Sequence, residues 1–231
     1  MATKLSPTEN MKIIAQISEK NGIDPCFMIA KAKIESTLNN LAKNGSYWGL
    51  FQLGNGVGGV TGNDRLDSAK ATQGAINYLK YNKSQFEKKF SGQWRDEFGY
   101  LMHQQGADGF MDIYGNPKTL IKGSRRERAI RNNTKKGWNQ TTYKDFVNNW
   151  TATFNDLRKQ CSKEIACLGI GEYSYLADPN ACGTGLNPNT GIKSGLTLEA
   201  QKNNYTIVGL ALAAIAATYA YKNYGKKLGL K

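Results

Sequence analysis

One acidic residue, Glu35, has surroundings in the sequence that suit a proton donor. The sequence Ile34-Glu35-Ser36 ends a largely apolar stretch, and the segment 48–53 is apolar and aromatic except for Gly49 and Gln52. A carboxyl held against such walls is poorly hydrated, which raises its pKa and keeps it protonated near neutral pH. Cleavage of a glycosidic bond needs a general acid of this kind. The alternative is a solvated surface glutamate, the more common state of a helical Glu.

Two polar residues near Glu35 have side chains suited to binding a substrate. The amide of Gln52 both donates and accepts hydrogen bonds, so it could contact an acetamido group or a glycan hydroxyl, or fix its own loop. Ser36 could bind substrate or simply end its helix. His103 is the only histidine, which excludes a multi-histidine metal site, and no CxxC pair suggests zinc or redox chemistry. We therefore expect no metal and no cofactor.

Glu35 belongs to the second of two helices predicted at the N-terminus. A capping serine, an early proline and an acid three positions after the cap mark the start of the first helix, at Ser6-Pro7-Thr8-Glu9. A stop signal at Asn21-Gly22 and a new start at Asp24-Pro25 follow. These signals predict two consecutive helices, of which the second ends at Glu35.

The rest of the first 160 residues is also predicted to be helical. Further helices are expected at 67–82, 95–105, 118–132 and 142–160. The Gly-rich segment 44–63 reads as a loop with a minor hairpin near 47–53, and no convincing run of alternating strand residues occurs. The predicted fold class is therefore mainly α.

Five blocks, in this order, give the chain a resemblance to a known family. The blocks are Asn21-Gly22-Ile23-Asp24-Pro25 with Met28-Ile29-Ala30, then Ile34-Glu35-Ser36, Gly49-Leu50-Phe51-Gln52, Gly74-Ala75-Ile76-Asn77-Tyr78-Leu79 and Met102-His103-Gln104-Gln105-Gly106. Their order and spacing resemble the lytic transglycosylases, lysozyme-like enzymes that cleave peptidoglycan glycan strands. The resemblance covers about half the chain, from Ser6 to Tyr114, and implies a lysozyme-like domain over residues 1–160. Phe51 replaces the family's Met, and the last block stands where cellular members have Ala-Tyr-Asn-Ala-Gly, so it is more similar to phage-encoded relatives.

The resemblance implies a mechanism that uses one carboxylate. Glu35 would protonate the oxygen between N-acetylmuramic acid and N-acetylglucosamine and then, as a base, help the muramoyl 6-hydroxyl close onto the anomeric carbon. The substrate's own N-acetyl group is thought in this family to stabilise the positive anomeric centre. The product would carry a 1,6-anhydro end. Most glycosidases instead use a pair of carboxylates.

The resemblance also assigns expected positions to the remaining site residues. If His103 replaces the family Tyr, it should lie close to Glu35 and could orient it, although a lone His is more often structural. Gln104 takes the Asn position and would contact substrate or backbone. Four acids, Asp64, Asp67, Asp108 and Asp112, have no matching role and are expected to be helix caps or solvated loop charges. If one of them faced Glu35, hydrolysis would be the better assignment.

The C-terminal third of the sequence has a different character. Residues 161–203 are rich in Gly, Pro and Asn and are predicted to form an irregular connector. Three cysteines lie there, and in an oxidising setting a loop-closing disulfide among Cys161, Cys167 and Cys182 is expected, whereas a reducing one would leave small buried thiols. In residues 204–231, an uncharged run at 207–221 is followed by Lys222, Lys226, Lys227 and Lys231. This run is short for a span, but its tyrosine and lysine flanks favour a membrane helix over a buried core helix.

Charge and composition limit the partners. The chain has 31 Lys and Arg against 18 Asp and Glu, a formal charge of +13, so it should be drawn to polyanions. The hydrophobic content of 40% fits neither a disordered chain nor a polytopic membrane protein. A basic run at 118–136 is either a solvated helix face or a binding site for murein, phospholipid or nucleic acid. Nucleic acid is the less favoured partner, because no aromatic residues are interleaved there.

These observations leave three interpretations open. The favoured one is a murein-degrading virion protein held in a viral membrane, with peptidoglycan, lipid and other virion proteins as partners. Its alternative location is the bacterial inner membrane, facing the periplasm. The second interpretation is a lysozyme-type hydrolase of the same bond. The third is a structural membrane protein of the particle that keeps the shape without the activity.

Overall fold

The computed structural model describes residues 2–169, and this part of the chain is mainly helical, as predicted. A two-stranded hairpin and two short 3-10 helices, Val57–Gly59 and Gly62–Leu66, lie between the second and third α-helices. In chain order the elements are α1 (Pro7–Lys20), α2 (Pro25–Ser36), β1 (Lys43–Asn44), β2 (Tyr47–Trp48), α3 (Ser68–Lys89), α4 (Asp96–Gln105), α5 (Ala107–Gly115), α6 (Glu127–Asn132) and α7 (Tyr143–Leu168).

The two N-terminal helices form as the capping signals predict. Ser6 caps α1, and its side chain and that of Glu9 exchange hydrogen bonds with each other's backbone N–H. Asp24 caps α2 by accepting from the backbone N–H of Cys26. Nearly every residue of α2 is buried, because α1 and α7 pack against it. A helix that is apolar around most of its circumference belongs in the core, and α2 is the central helix of this fold.

The Gly-rich segment after α2 is a tightly packed loop with a small hairpin. The strands β1 and β2 pair antiparallel, and a further bridge joins Trp48 to Leu53. Gly49 has a φ of +79°, and a Cβ there would lie 1.7 Å from the backbone oxygen of Arg65. Gly58 meets the backbone oxygen of Gly74 in the same way, at 1.9 Å. Only glycine permits these approaches, which press the loop against its neighbours.

One helix prediction is wrong in part, and one helix was missed. The helix expected at 118–132 begins only at Glu127, because Pro117 and Gly123, with a φ of +81°, lie in a loop that connects α5 to α6. Helix α5, which follows α4 directly after Gly106 and itself contains Gly109, was not predicted. Buried Phe110 and Ile113 hold α5 in the core, so packing outweighs the poor helix propensity of its glycines.

The last described helix extends past the predicted domain boundary at residue 160. It continues through Cys161 to Leu168 and ends at Gly169, which adopts the left-handed conformation. Cys161 forms a disulfide with Cys26, with a Cα–Cα distance of 5.5 Å. Cys161 therefore does not pair with Cys167 or Cys182, the other cysteines considered, because Cys161 belongs to a helix packed on α2. The crosslink closes a loop of 135 residues, which corresponds to about 5 kcal/mol in the chain-entropy model.

The remaining predictions about the C-terminal third concern residues outside the described part of the chain. The predicted connector, from residue 170 onward, and the predicted membrane helix at 204–231 belong to that portion. Within residues 2–169, no helix combines the length and the hydropathy needed to cross a membrane.

Candidate active site

Glu35 lies in the last turn of α2 with its carboxyl group enclosed by protein. Its side chain is 1% exposed, and Oε1 has no hydrogen-bond partner. Burial raises the pKa of Glu35 from the usual 4.5 to about 8, while the nearby charge of Lys31 acts in the opposite direction. The carboxyl is therefore protonated at neutral pH, which differs from the solvated surface glutamate that the sequence also allowed.

His103, on α4, lies beside this carboxyl. Its Nε2 is 3.6 Å from Oε1 of Glu35, and the imidazole is 8% exposed. Burial, and then the charge of Lys31, lower the pKa of His103 well below 6.5, against the effect of a hydrogen bond to the Phe51 backbone. Nδ1 has no hydrogen-bond partner. The site therefore holds a neutral imidazole next to a protonated carboxyl.

Lys31 is a third ionisable group at this site, and it was not among the residues predicted from the sequence. It is completely buried, and its Nζ has no hydrogen-bond partner. Burial lowers the pKa of Lys31 to about 8, although the charge of Glu35 raises it. The available signal was the four-residue spacing to Glu35, which places both side chains on one face of α2.

A surface groove is connected to His103 and Glu35 by the ring of Tyr78, which lines the groove. It has a volume of about 340 Å³ and is lined by Val57, Gly58, Asn77, Tyr78 and Tyr81. The rings of Tyr78 and Tyr81 stack with centroids 6.5 Å apart, and Tyr81 is 56% exposed. The Tyr78 ring also meets His103 edge to face, at 6.0 Å. A chain of contacts thus leads from the groove through His103 to the carboxyl of Glu35.

Ser36 and Gln52 are engaged with the backbone around the site. The Ser36 hydroxyl lies within hydrogen-bond distance of the carbonyls of Ala32, at 3.1 Å, and Leu50, at 2.9 Å, so it links α2 to the following loop. The Gln52 amide donates to the carbonyls of Gly49 and Ala42, and its φ of +45° fits a tight loop. These contacts match the structural alternatives named for both residues. Their binding of substrate stays a prediction.

Gln104 is buried on α4 with its amide already occupied. Nε2 donates to the hydroxyl of Tyr100 at 3.3 Å, and Oε1 accepts from Gln105 at 3.1 Å. These contacts hold Gln104 within its own helix, so a contact with substrate stays a prediction.

The acidic residues considered as partners of Glu35 have other roles. Asp67 caps α3, Asp64 forms an ion pair with Lys70, and Asp112 binds Arg125 and Arg126. Asp108 lies in the first turn of α5. Lys31 is the charged residue that acts on the pKa of Glu35 within residues 2–169. Over the same residues no group of three His, Cys, Asp or Glu side chains could hold a metal ion.

The basic run at 118–136 is partly neutralised by the protein itself. Arg125 and Arg126 bind Asp112, and Arg131 binds Glu127 at 2.7 Å. The ammonium group of Lys135 lies 5.3 Å from the centroid of the Trp150 ring, within cation–π range. Half of the eight basic residues therefore have intramolecular partners, which reduces the charge this run can offer to a polyanion.

No protein-family model matches the chain, and no curated protein matches it either. The structure brings Glu35 and His103 together from α2 and α4, next to a groove with an exposed aromatic wall. The chemistry of that arrangement is the basis for assigning a function.

Proposed function

We propose that this protein is a peptidoglycan lytic transglycosylase in which Glu35 is the general acid and base. The observation that carries the proposal is the fully enclosed carboxyl of Glu35, with a pKa of about 8 and an oxygen that has no hydrogen-bond partner. A surface glutamate would have neither property. A carboxyl kept protonated at neutral pH by burial is what acid-catalysed cleavage of a glycosidic bond requires.

The groove supports a sugar polymer as substrate. The ring faces of Tyr78 and Tyr81 offer apolar surface to the C–H faces of a pyranose ring, and the amide of Asn77 lies at the edge of the same groove. Pockets of this kind combine an apolar wall with a few polar groups that fix orientation. We assign this groove to one sugar of a glycan strand whose scissile bond lies at Glu35.

The reaction requires one carboxyl and no added reactant. Glu35 gives its proton to the glycosidic oxygen, the bond from the anomeric carbon breaks, and its electron pair leaves with that oxygen. The carboxylate then takes the proton of the muramoyl 6-hydroxyl while the hydroxyl oxygen bonds to the anomeric carbon. Neutral His103 lies beside the carboxyl, with its Nε2 3.6 Å from Oε1 of Glu35. We also propose that the domain has a lysozyme-like fold, because residues 6–114 resemble the lytic transglycosylases.

A lysozyme-type hydrolase is the second candidate for the same site. Hydrolysis with inversion uses a second carboxylate to activate water. Three of the four acids that could have served, Asp64, Asp67 and Asp112, are engaged with other residues, and the fourth, Asp108, lies in the first turn of α5. We therefore favour the anhydro product. For the location we propose a viral membrane with residues 204–231 as the anchor, and for the role a local opening of the cell wall during genome entry.

Clearing of a murein suspension by the full-length protein in detergent tests the activity. We expect Glu35→Gln to lower the initial rate by a factor of about 10² to 10⁴. Glu87→Gln is the matched control, since Glu87 is a half-exposed residue of α3, and it should clear at the wild-type rate. Equal clearing by Glu35→Gln and wild type would exclude Glu35 as the acid.

Two further measurements separate the alternatives. Mass spectrometry of the released fragments distinguishes 1,6-anhydro ends from reducing ends, and therefore a transglycosylase from a hydrolase. Deletion of residues 204–231 should abolish co-sedimentation with lipid vesicles, and persistent co-sedimentation would rule out this segment as the main attachment. A protein that binds murein but releases no fragments would be a structural protein.

A further inference from the structure

Lys31 is buried in a manner that packing does not explain. Its side chain is fully enclosed on α2, and its ammonium nitrogen has no hydrogen-bond partner. The ammonium nitrogen lies 5.9 Å from the centroid of the Phe51 ring, at the limit of a cation–π contact. Lysine is almost never fully buried unless it is paired, because removing its charge from water is strongly unfavourable. An apolar side chain would fill the space without that penalty.

The position of Lys31 relates it to Glu35 rather than to the surface. The two residues are four positions apart on α2, so their side chains lie on the same face of the helix. The order, with lysine before glutamate, is the less favourable one for a direct ion pair, and Nζ makes no hydrogen bond. Each charge nevertheless acts on the pKa of the other residue. Lys31 also lowers the pKa of His103, which lies on α4.

We propose that Lys31 is a positioning residue of the reaction, whose buried ammonium group stabilises the carboxylate that Glu35 becomes after it donates its proton. The inference rests on the proposed function of Glu35. In the first step the proton moves from Glu35 to the glycosidic oxygen. Before this step the site holds the positive charge of Lys31 and a neutral Glu35, and after it the same positive charge faces a negative carboxylate. In the second step the carboxylate regains a proton from the muramoyl 6-hydroxyl, and the first state returns.

The charge states of the three groups fit this role. Burial lowers the pKa of Lys31 only to about 8, so the ammonium form persists over the range in which Glu35 is protonated. Burial also keeps His103 neutral, so the imidazole supplies no positive charge to the carboxylate. In the low dielectric of an enclosed site the field of a single cation is stronger than at the surface. Lys31 therefore makes Glu35 a stronger acid than burial alone would leave it.

The test is the pH dependence of kcat/KM for full-length variants acting on solubilised glycan strands. Lys31→Met removes the charge and keeps the volume. We expect the rate at about pH 6 to fall by a factor of about 10 or more, since Glu35 becomes a weaker acid. The alkaline limb, where Glu35 loses its proton, should move upward by about one pH unit, because the nearby positive charge is lost. The variant should be at least as resistant to heat as wild type.

Three companion variants separate charge from packing. Lys33→Met removes a positive charge from the same helix, but Lys33 pairs with Glu164 on α7, outside the site. It should leave the alkaline limb in place. Lys31→Arg retains a charge at the site and should keep the limb near its wild-type position. Lys31→Gln is a second neutral variant, in case the methionine variant does not fold.

The outcomes distinguish this inference from the proposal on which it rests. If Glu35→Gln is inactive and the neutral Lys31 variants keep the wild-type rate and limb, the role of Lys31 is refuted and that of Glu35 stands. If the limb does not move but heat resistance falls, or if both neutral variants fail to fold, Lys31 is structural. If Glu35→Gln retains full activity, the function itself is wrong, whatever the lysine variants do.

Discussion

Replacement of Glu35 by glutamine should make the protein more stable at alkaline pH while it removes activity. The pKa of Glu35 is about 8 in the folded chain and near 4.5 in an unfolded one. Between these values the unfolded chain has released a proton that the folded chain retains, so stability falls as pH rises. Each pH unit corresponds to about 1.4 kcal/mol, and the wild type should lose about 4 kcal/mol between pH 4.5 and pH 8 through this group.

The glutamine side chain has nearly the same shape and does not titrate, so the variant should not show this loss. Its amide group brings a new donor into a buried place, at a cost of about 1 to 3 kcal/mol that is independent of pH. Lys31 and His103 titrate in both proteins, so their contributions largely cancel in the difference. We therefore expect the free energy of unfolding of the variant, relative to that of the wild type, to rise by about 4 kcal/mol from pH 4.5 to pH 8.

Urea unfolding followed by tryptophan fluorescence, at several pH values from 4.5 to 8, measures this difference. The control is Glu87→Gln, because the Glu87 side chain is 44% exposed. The stability of this variant should depend on pH as that of the wild type does. A difference between Glu35→Gln and wild type that changes by less than about 1 kcal/mol over this range would refute the reasoning. The carboxyl would then ionise at its ordinary pH, and its role as a general acid would lose its physical basis.

The remaining predictions concern the loop, the groove and the disulfide. Gly49→Ala should lower the urea midpoint strongly, because a Cβ would overlap a backbone oxygen, whereas Gly22→Ala, with a φ of +66° but open space, should cost only about 1 to 2 kcal/mol. Tyr81→Ala should raise KM about three- to tenfold with little change in kcat, since the exposed ring binds sugar without touching the reacting atoms. A reducing agent should lower the free energy of unfolding by about 2 to 5 kcal/mol, and Cys26→Ser should abolish that response.

The helices that have clear end signals could be predicted from the amino-acid sequence alone. Ser6 and Asp24 are caps whose hydrogen bonds form within a few residues, so the starts of α1 and α2 could be predicted from local chemistry. The sequence did not decide the enclosed state of Glu35 in the same way, because a solvated surface glutamate fits the same residues. The lone His103 was expected near Glu35 only through the resemblance of its block to a family pattern.

Contacts between residues far apart in the chain depend on how the helices pack, and these could not be predicted. The loop from residue 118 to α6 contains good helix formers, yet contacts between Asp112 and its two arginines hold it in an irregular path. The partner of Cys161 could not be read from spacing, since it lies 135 residues away on α2. The burial of Lys31 could not be predicted from the sequence either. A sequence reports charge and periodicity, but burial depends on which helices pack against that face, and burial is what gives Lys31 and Glu35 their unusual pKa values.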